Sequence, residues 1–184
     1  MRRCFASLAL VFVLAACATA PAPPRPAGPP APPPIEQQLV QLKARLFTLV
    51  VEERARLVAA AAPLTLDAAL EAAAQAHSDA MAKTRSFDTM NPAGNIAINT
   101  LAADPKFSGF VGENSAAQYF TPSIGFDPDR MARGFLDIWL ASPSHKVNLT
   151  DPKFQRTGIG VAANGDAVYA AEIFAAALGP AAAP

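Results

Sequence analysis

Apolar residues recur along this chain with two different periods. Leu39, Leu42, Leu46, Leu49, Val50 and Leu57 fall at helical spacing and predict a helix from Ile35 to about Ala61, stopped by Pro63. A second helix is expected from Leu66 to about Lys83, capped by Thr65, with Leu66, Leu70, Ala73, His77 and Met81 along one face. A loop follows at 86–94, then a short helix near 96–102. Asp127 with Pro128 behind it starts another helix, running to about Ala141 with Met131, Phe135, Ile138 and Trp139 inward. The last third changes period. Thr157 to Ala163 and Ala167 to Phe174 read as strands, and Asn164-Gly165-Asp166 between them is a hairpin signal. Glu113 to Phe120 supplies a further strand. Helices first and a late hairpin predict an α+β domain over 35–178, with no internal repeat.

The residues ahead of that domain follow other rules. Arg2 and Arg3 precede a run, Cys4 to Leu14, that is almost wholly apolar and ends in Leu14-Ala15-Ala16-Cys17. A charged start, a short apolar run and small residues before a cut mark a secretion signal over 1–16. The run is too short for a permanent span, which needs about 20 residues. Leu-Ala-Ala-Cys resembles the lipobox of bacterial lipoproteins, which implies diacylglycerol on the Cys17 thiol and cleavage just before it. Residues 17–34 are then the lipidated Cys and a Pro/Ala tether, expected to run as polyproline II for roughly 50 Å. Residues 179–184 are an Ala/Pro tail expected to be disordered.

Composition narrows the partners. Basic and acidic residues balance at 15 each, and removal of Arg2 and Arg3 leaves 13 against 15. There is no basic stripe, so nucleic acid is not an expected partner. With only Cys4 and Cys17 in the sequence, no disulfide is expected in the mature domain. Asn148-Leu149-Thr150 matches a glycosylation acceptor and is read as coincidence.

Several segments carry a family resemblance. Glu53-Arg54, Pro63-Leu64 and the stretch from Leu70 through His77-Ser78-Asp79-Ala80-Met81 come first. Gly112-Glu113-Asn114 follows, then Trp139-Leu140-Ala141-Ser142-Pro143-Ser144-His145-Lys146-Val147-Asn148, then Gly158-Ile159-Gly160-Val161 running into Tyr169 and Phe174. In this order they resemble the bacterial branch of the CAP superfamily, which holds cysteine-rich secretory proteins, antigen 5 and pathogenesis-related 1 proteins. The resemblance covers about residues 37–176. It implies a three-layer α-β-α sandwich with a small antiparallel sheet.

The resemblance also implies a cleft in which two His and two Glu can bind a divalent metal such as zinc. Glu113 and His145 match two of those four positions. Asp88 stands where the first His is usual, Ser142 where the second Glu is usual, and Val51 where an Asn is common. Each also has a plainer reading. Glu113 can brace its loop through backbone amides. His145 follows a helix end, where a cation meets the negative end of the dipole. His77 reads as a core histidine, which leaves one imidazole in the cleft. Asp88, Glu113 and Ser142 add only oxygen donors, so no firm cofactor is expected, and at most a weakly held divalent cation.

A Glu and a His in reach can do acid–base work, but no Gly-x-Ser-x-Gly and no free Cys supply a nucleophile. The expected function is therefore a lipid-anchored cell-envelope protein that binds a lipid, peptide or protein in its cleft. The anchor at Cys17 makes the membrane a partner. Ala18 after it implies the outer membrane, facing the periplasm. The rival readings are a periplasmic hydrolase of peptide or peptidoglycan using the same pair, and a purely structural envelope module.

Overall fold

The structure is a computed structural model that describes residues 31–59, 62–86, 101 and 109–177. The signal, Cys17, most of the tether, Asp88, the 96–102 helix except Leu101, and the 179–184 tail lie outside the described residues. Helix α1 (Ile35–Leu57) buries Leu42, Leu46, Leu49 and Val50 along the predicted stripe, together with Gln38 and Arg54. It ends at Leu57, short of Ala61, because Val58 turns to an extended conformation (φ −132°) and the chain heads for a strand. That strand, β1 (Thr65–Leu66), replaces the expected helix start. The cap of α2 (Ala68–Thr84) is Asp67 instead of Thr65, its carboxylate accepting from the Ala69 and Leu70 amides at 2.9 and 3.2 Å. Leu66 is consequently half exposed.

Strand β2 (Gly109–Tyr119) precedes helices α3 (Pro128–Ala141) and α4 (Pro143–Thr150), and β3 (Arg156–Asn164) and β4 (Ala167–Ala177) close the chain. The sheet order is β1-β3-β4-β2. β4 pairs antiparallel with β3 through the predicted hairpin, and with β2 along all of the latter's length. β1 pairs parallel with β3, so the sheet is mixed and not purely antiparallel. Leu101, buried, packs into the α2 side of the sheet.

Alternation along β4 sorts the two faces. Tyr169, Ala171, Ile173 and Ala175 pack with Leu70, Ala73, Ala74 and Met81 of α2. Val168, Ala170, Phe174 and Ala176 join Leu42, Leu46, Phe135, Trp139 and Leu149 of the helices on the opposite side. The result is the expected three-layer α-β-α sandwich. Trp139 is fully buried, as expected. Ile138 is 40% exposed, because the inward stripe of α3 runs through Met131, Phe135 and Trp139, four residues apart, and 138 falls beside it.

The α2 layer sits unusually close to the sheet. A Cβ at Gly160 would enter the backbone of Ala74 and Gln75, and one at Gly158 that of Leu70 and Glu71. Small residues on both partners permit this approach, and it brings the α2 side chains near the strands. Gly160→Ala is expected to destabilise the domain by about 1–3 kcal/mol through overpacking. Unchanged stability in a urea titration would mean that α2 yields without strain.

Candidate functional site around Glu113

Glu113 lies on β2, an edge strand of the sheet. Its neighbours Asn114 and Ala116 face the three-helix layer, whereas Val111 and Ala117 pack toward α2. The same alternation turns the Glu113 side chain toward α2, where it meets His77. His77 is 1% exposed, and its Nδ1 lies 2.7 Å from Glu113 Oε1. The separation is that of an ion pair, but the ring N–H is not aimed at the oxygen, so neither atom has an aligned hydrogen-bond partner. The expectation that the site holds one imidazole is therefore corrected. His77 is buried on an apolar helix face, as anticipated, yet it lies against the carboxylate it was thought to be remote from.

His145 approaches from α4. It follows the end of α3 at Ala141, as expected, but a second helix begins at once. It occupies the first turn of α4, because Pro143 at the first helical position restarts a helix directly after Ser142. The dipole argument for a cation there is thus reversed. Burial holds the His145 imidazole below its ordinary pKa, and the Glu113 carboxylate partly offsets that effect. His145 Nδ1 is buried and without a partner.

Two asparagines fix α4 against β2. Asn114, fully buried, donates through Nδ2 to the His145 carbonyl at 3.1 Å. Asn148 Nδ2 donates to the Glu113 carbonyl at 2.9 Å and to Asn114 Oδ1 at 3.0 Å. The backbones of Glu113 and His145 are thereby tied to one another through side chains. The engaged Asn148 amide also fits the reading of its glycosylation motif as coincidence.

Ser142 joins α3 to α4, and its hydroxyl lies 3.1 Å from that of Ser144 rather than bonding Glu113 or His145. Asp88 falls outside the described residues. Among the described residues, no three of His, Cys, Asp and Glu stand close enough together to hold a metal ion. Among the described residues the donors do not make the ligand set that the resemblance implies. What the geometry offers is the buried His77 imidazole against the Glu113 carboxylate, with His145 close enough for the charge of that carboxylate to act on it. Sequence reasoning passed over His77 because its neighbours at helical spacing are all apolar. The available signal was that the chain has two histidines in all.

A family model described as "Cysteine-rich secretory protein family" (CAP) matches residues 53–177. Among solved structures, an outer surface protein from Borrelia burgdorferi aligns with a TM-score of 0.57 at 18% identity, over 76% of this chain and 94% of that one. An extracellular protein containing a SCP domain from Bacillus anthracis aligns with a TM-score of 0.56 at 24% identity, over 82% of this chain. This chain spans 45% of the Bacillus chain. At these identities the likeness is one of fold. No curated protein sequence matches the chain. The family match covers most of the domain, and the two aligned structures share its fold. The chain belongs to the cysteine-rich secretory protein (CAP) family.

Proposed function

We propose that this is a lipid-anchored cell-envelope protein whose CAP domain is a binding module, with its ligand seated beside Glu113, His145 and His77. The observation that carries the reading is the contact of the buried His77 imidazole with the Glu113 carboxylate, whose charge also reaches His145. His77 Nδ1, Glu113 Oε1 and His145 Nδ1 are all buried without an aligned protein partner. Buried polar atoms are nearly always satisfied, so orphans from three different elements favour a polar group arriving from outside. The anchor rests on the Leu-Ala-Ala-Cys17 string, and Ala18 favours the outer membrane, facing the periplasm. Two aligned relatives are described as an outer surface and an extracellular protein, which agrees with export. Among the described residues no helix is long and apolar enough to cross a membrane.

The test is mass spectrometry of small molecules that copurify with the full chain from membranes. Glu113→Gln and His145→Ala are each expected to lose the same species while the fold, followed by circular dichroism, stays intact. Retention of that species by both variants would remove the site from the binding role. Turnover of peptide or peptidoglycan fragments by the native chain, abolished in both variants, would replace binding by hydrolysis. Cys17→Ser is expected to move the protein out of the membrane fraction or leave it unprocessed. Mature Cys17→Ser protein still sedimenting with membranes would rule out the anchor.

A further inference from the structure

The helix that carries His145 is held at both ends by buried side-chain donors. At its C-terminal end the Arg54 guanidinium donates to the Leu149 and Asp151 carbonyls at 2.8 and 2.7 Å. Near its start Asn114 Nδ2 donates to the His145 carbonyl at 3.1 Å. Glu172 faces both donors. Alternation along β4 turns it, with Ala170 and Phe174, toward the three-helix layer. Asn114 is its register partner on β2 and faces the same layer, so the two side chains leave the sheet about 5 Å apart. Arg54 approaches from α1, near enough for each charge to act on the other.

The surroundings of Glu172 suit a neutral carboxyl and fall short for a carboxylate. It is fully buried. The Thr157 hydroxyl has one proton to share between Glu172 Oε1 and the Ile173 carbonyl, at 2.9 and 3.0 Å. Oε2 has no partner, and neither has Arg54 Nε. Burial accordingly pushes the Glu172 carboxyl up to about 8. Among the described residues Arg54 of α1 supplies the one charge that acts on it. β3 offers the Thr157 hydroxyl and β2 the Asn114 amide, while the Glu113 side chain turns to the opposite face of the sheet. From α3 and α4 the layer receives Phe135, Trp139 and Leu149, all uncharged. A carboxylate is a much stronger acceptor than a carboxylic acid or a backbone carbonyl. Once ionised, Glu172 needs donors, and those facing it are the two that hold α4.

We propose that Glu172 is a proton-operated catch on α4: protonated, it leaves the Arg54 and Asn114 donors to the α4 carbonyls, and ionised, it competes for them and loosens the helix from the sheet. The catch is closed in neutral and acid conditions and opens as the medium turns alkaline. Its consequence for ligand rests on the binding role proposed above for the Glu113 site. α4 carries both His145 and Asn148, and Asn148 bonds the Glu113 carbonyl at 2.9 Å. Loosening α4 therefore withdraws one wall of that site and leaves His77 and Glu113 in place on α2 and β2.

The experiment follows hydrogen exchange of the full chain in detergent, with no ligand added, between pH 6 and pH 9. Mass spectrometry reads the protection of α4 and of the β3–β4 hairpin, each against the rate of an unstructured chain at the same pH. From pH 7 to pH 9 the protection of α4 is expected to fall by about tenfold more than that of the hairpin. In Glu172→Gln the ratio of the two should stay constant. Thr157→Val removes a donor that favours the ionised form, so it should carry the loosening of α4 to higher pH. The proposal is overturned if α4 and the hairpin lose protection in parallel, because Glu172 then acts on the whole fold and not on α4. It is equally overturned if Glu172→Gln still loosens α4 selectively, or if Thr157→Val leaves the step where it was. No reading depends on a ligand, so failure here is separate from failure of the binding role at Glu113.

Discussion

Arg54→Met is expected to lower the stability of the domain by about 3–5 kcal/mol. The guanidinium is 2% exposed and donates to three carbonyls, those of Leu149, Asp151 and Phe154, at 2.7 to 2.8 Å. Two of them end α4 and the third leads into β3; the Asp151 carbonyl also accepts from the Phe154 N–H at 3.2 Å, so it is the Leu149 and Phe154 carbonyls that would be left without a partner. Each buried carbonyl left unpaired costs about 1–3 kcal/mol, and methionine retains the stem but offers no donor. Lysine keeps the charge yet cannot span the fork, so Arg54→Lys should recover less than half of the loss. Urea titration measures the stability, and hydrogen exchange at Asn148 to Asp151 reports the loosening of α4. A loss under 1 kcal/mol would mean that water replaces the guanidinium. Because α4 carries His145 and Asn148, the same variant should weaken whatever binds at Glu113.

Glu172→Gln should act in the opposite direction, and only as pH rises. Glu172 is fully buried on β4, with Oε1 2.9 Å from the Thr157 hydroxyl and Oε2 without a partner. Burial pushes its carboxyl up to about 8, against the opposing pull of the Thr157 hydrogen bond and the Arg54 charge. The unfolded chain releases this proton near pH 4.5, whereas the folded one holds it to about pH 8. The native protein is thus favoured fully below the lower value and loses stability as pH climbs through the upper one, by on the order of 4–5 kcal/mol in all. Glutamine keeps the shape and has no proton to release. The variant should match the native protein near pH 4 and exceed it by about 3 kcal/mol at pH 7. Urea midpoints at pH 5, 7 and 9 decide the matter. Parallel pH profiles for the two proteins would show that Glu172 is charged in the fold.

The elements that could be read from sequence are those whose signal is local. The leucines of α1 and the Met131–Phe135–Trp139 stripe of α3 bury long side chains at helical spacing, and Asn164-Gly165 joins two strands of its own accord. β1 carries no such signal. Thr65 and Leu66 are extended only because Arg156 and Thr157 pair with them, and this tertiary pairing moved the helix cap from Thr65 to Asp67. α4 is short, and of its residues Leu149 alone is buried, so periodicity could not reveal it; Pro143 was the overlooked marker. The site was partly legible. Glu113 and His145 stood in recognisable strings, but the partnership of His77 depends on which face of β2 turns toward α2. Glu172 was hidden for a related reason. On a strand covered on both sides, alternation sends a polar residue into a second core instead of into water.

The pairing of β1 with β3 bears on the order in which the chain can fold. Thr65 donates to the carbonyl of Gln155, 90 positions along, and Arg54 to that of Phe154, 100 positions along. α2 buries its apolar face against β3 and β4, and α1 buries its own against α3 and β3, all synthesised after them. A nascent chain that has completed these helices has nothing yet to pack them on, whereas the β3–β4 hairpin closes locally as soon as it is made. Loop closure over such spans is slow compared with hairpin formation. Cooperative structure should therefore spread from the C-terminal hairpin backward to the N-terminal helices, and a nascent chain that stops short of β4 should remain open to proteases along its whole length.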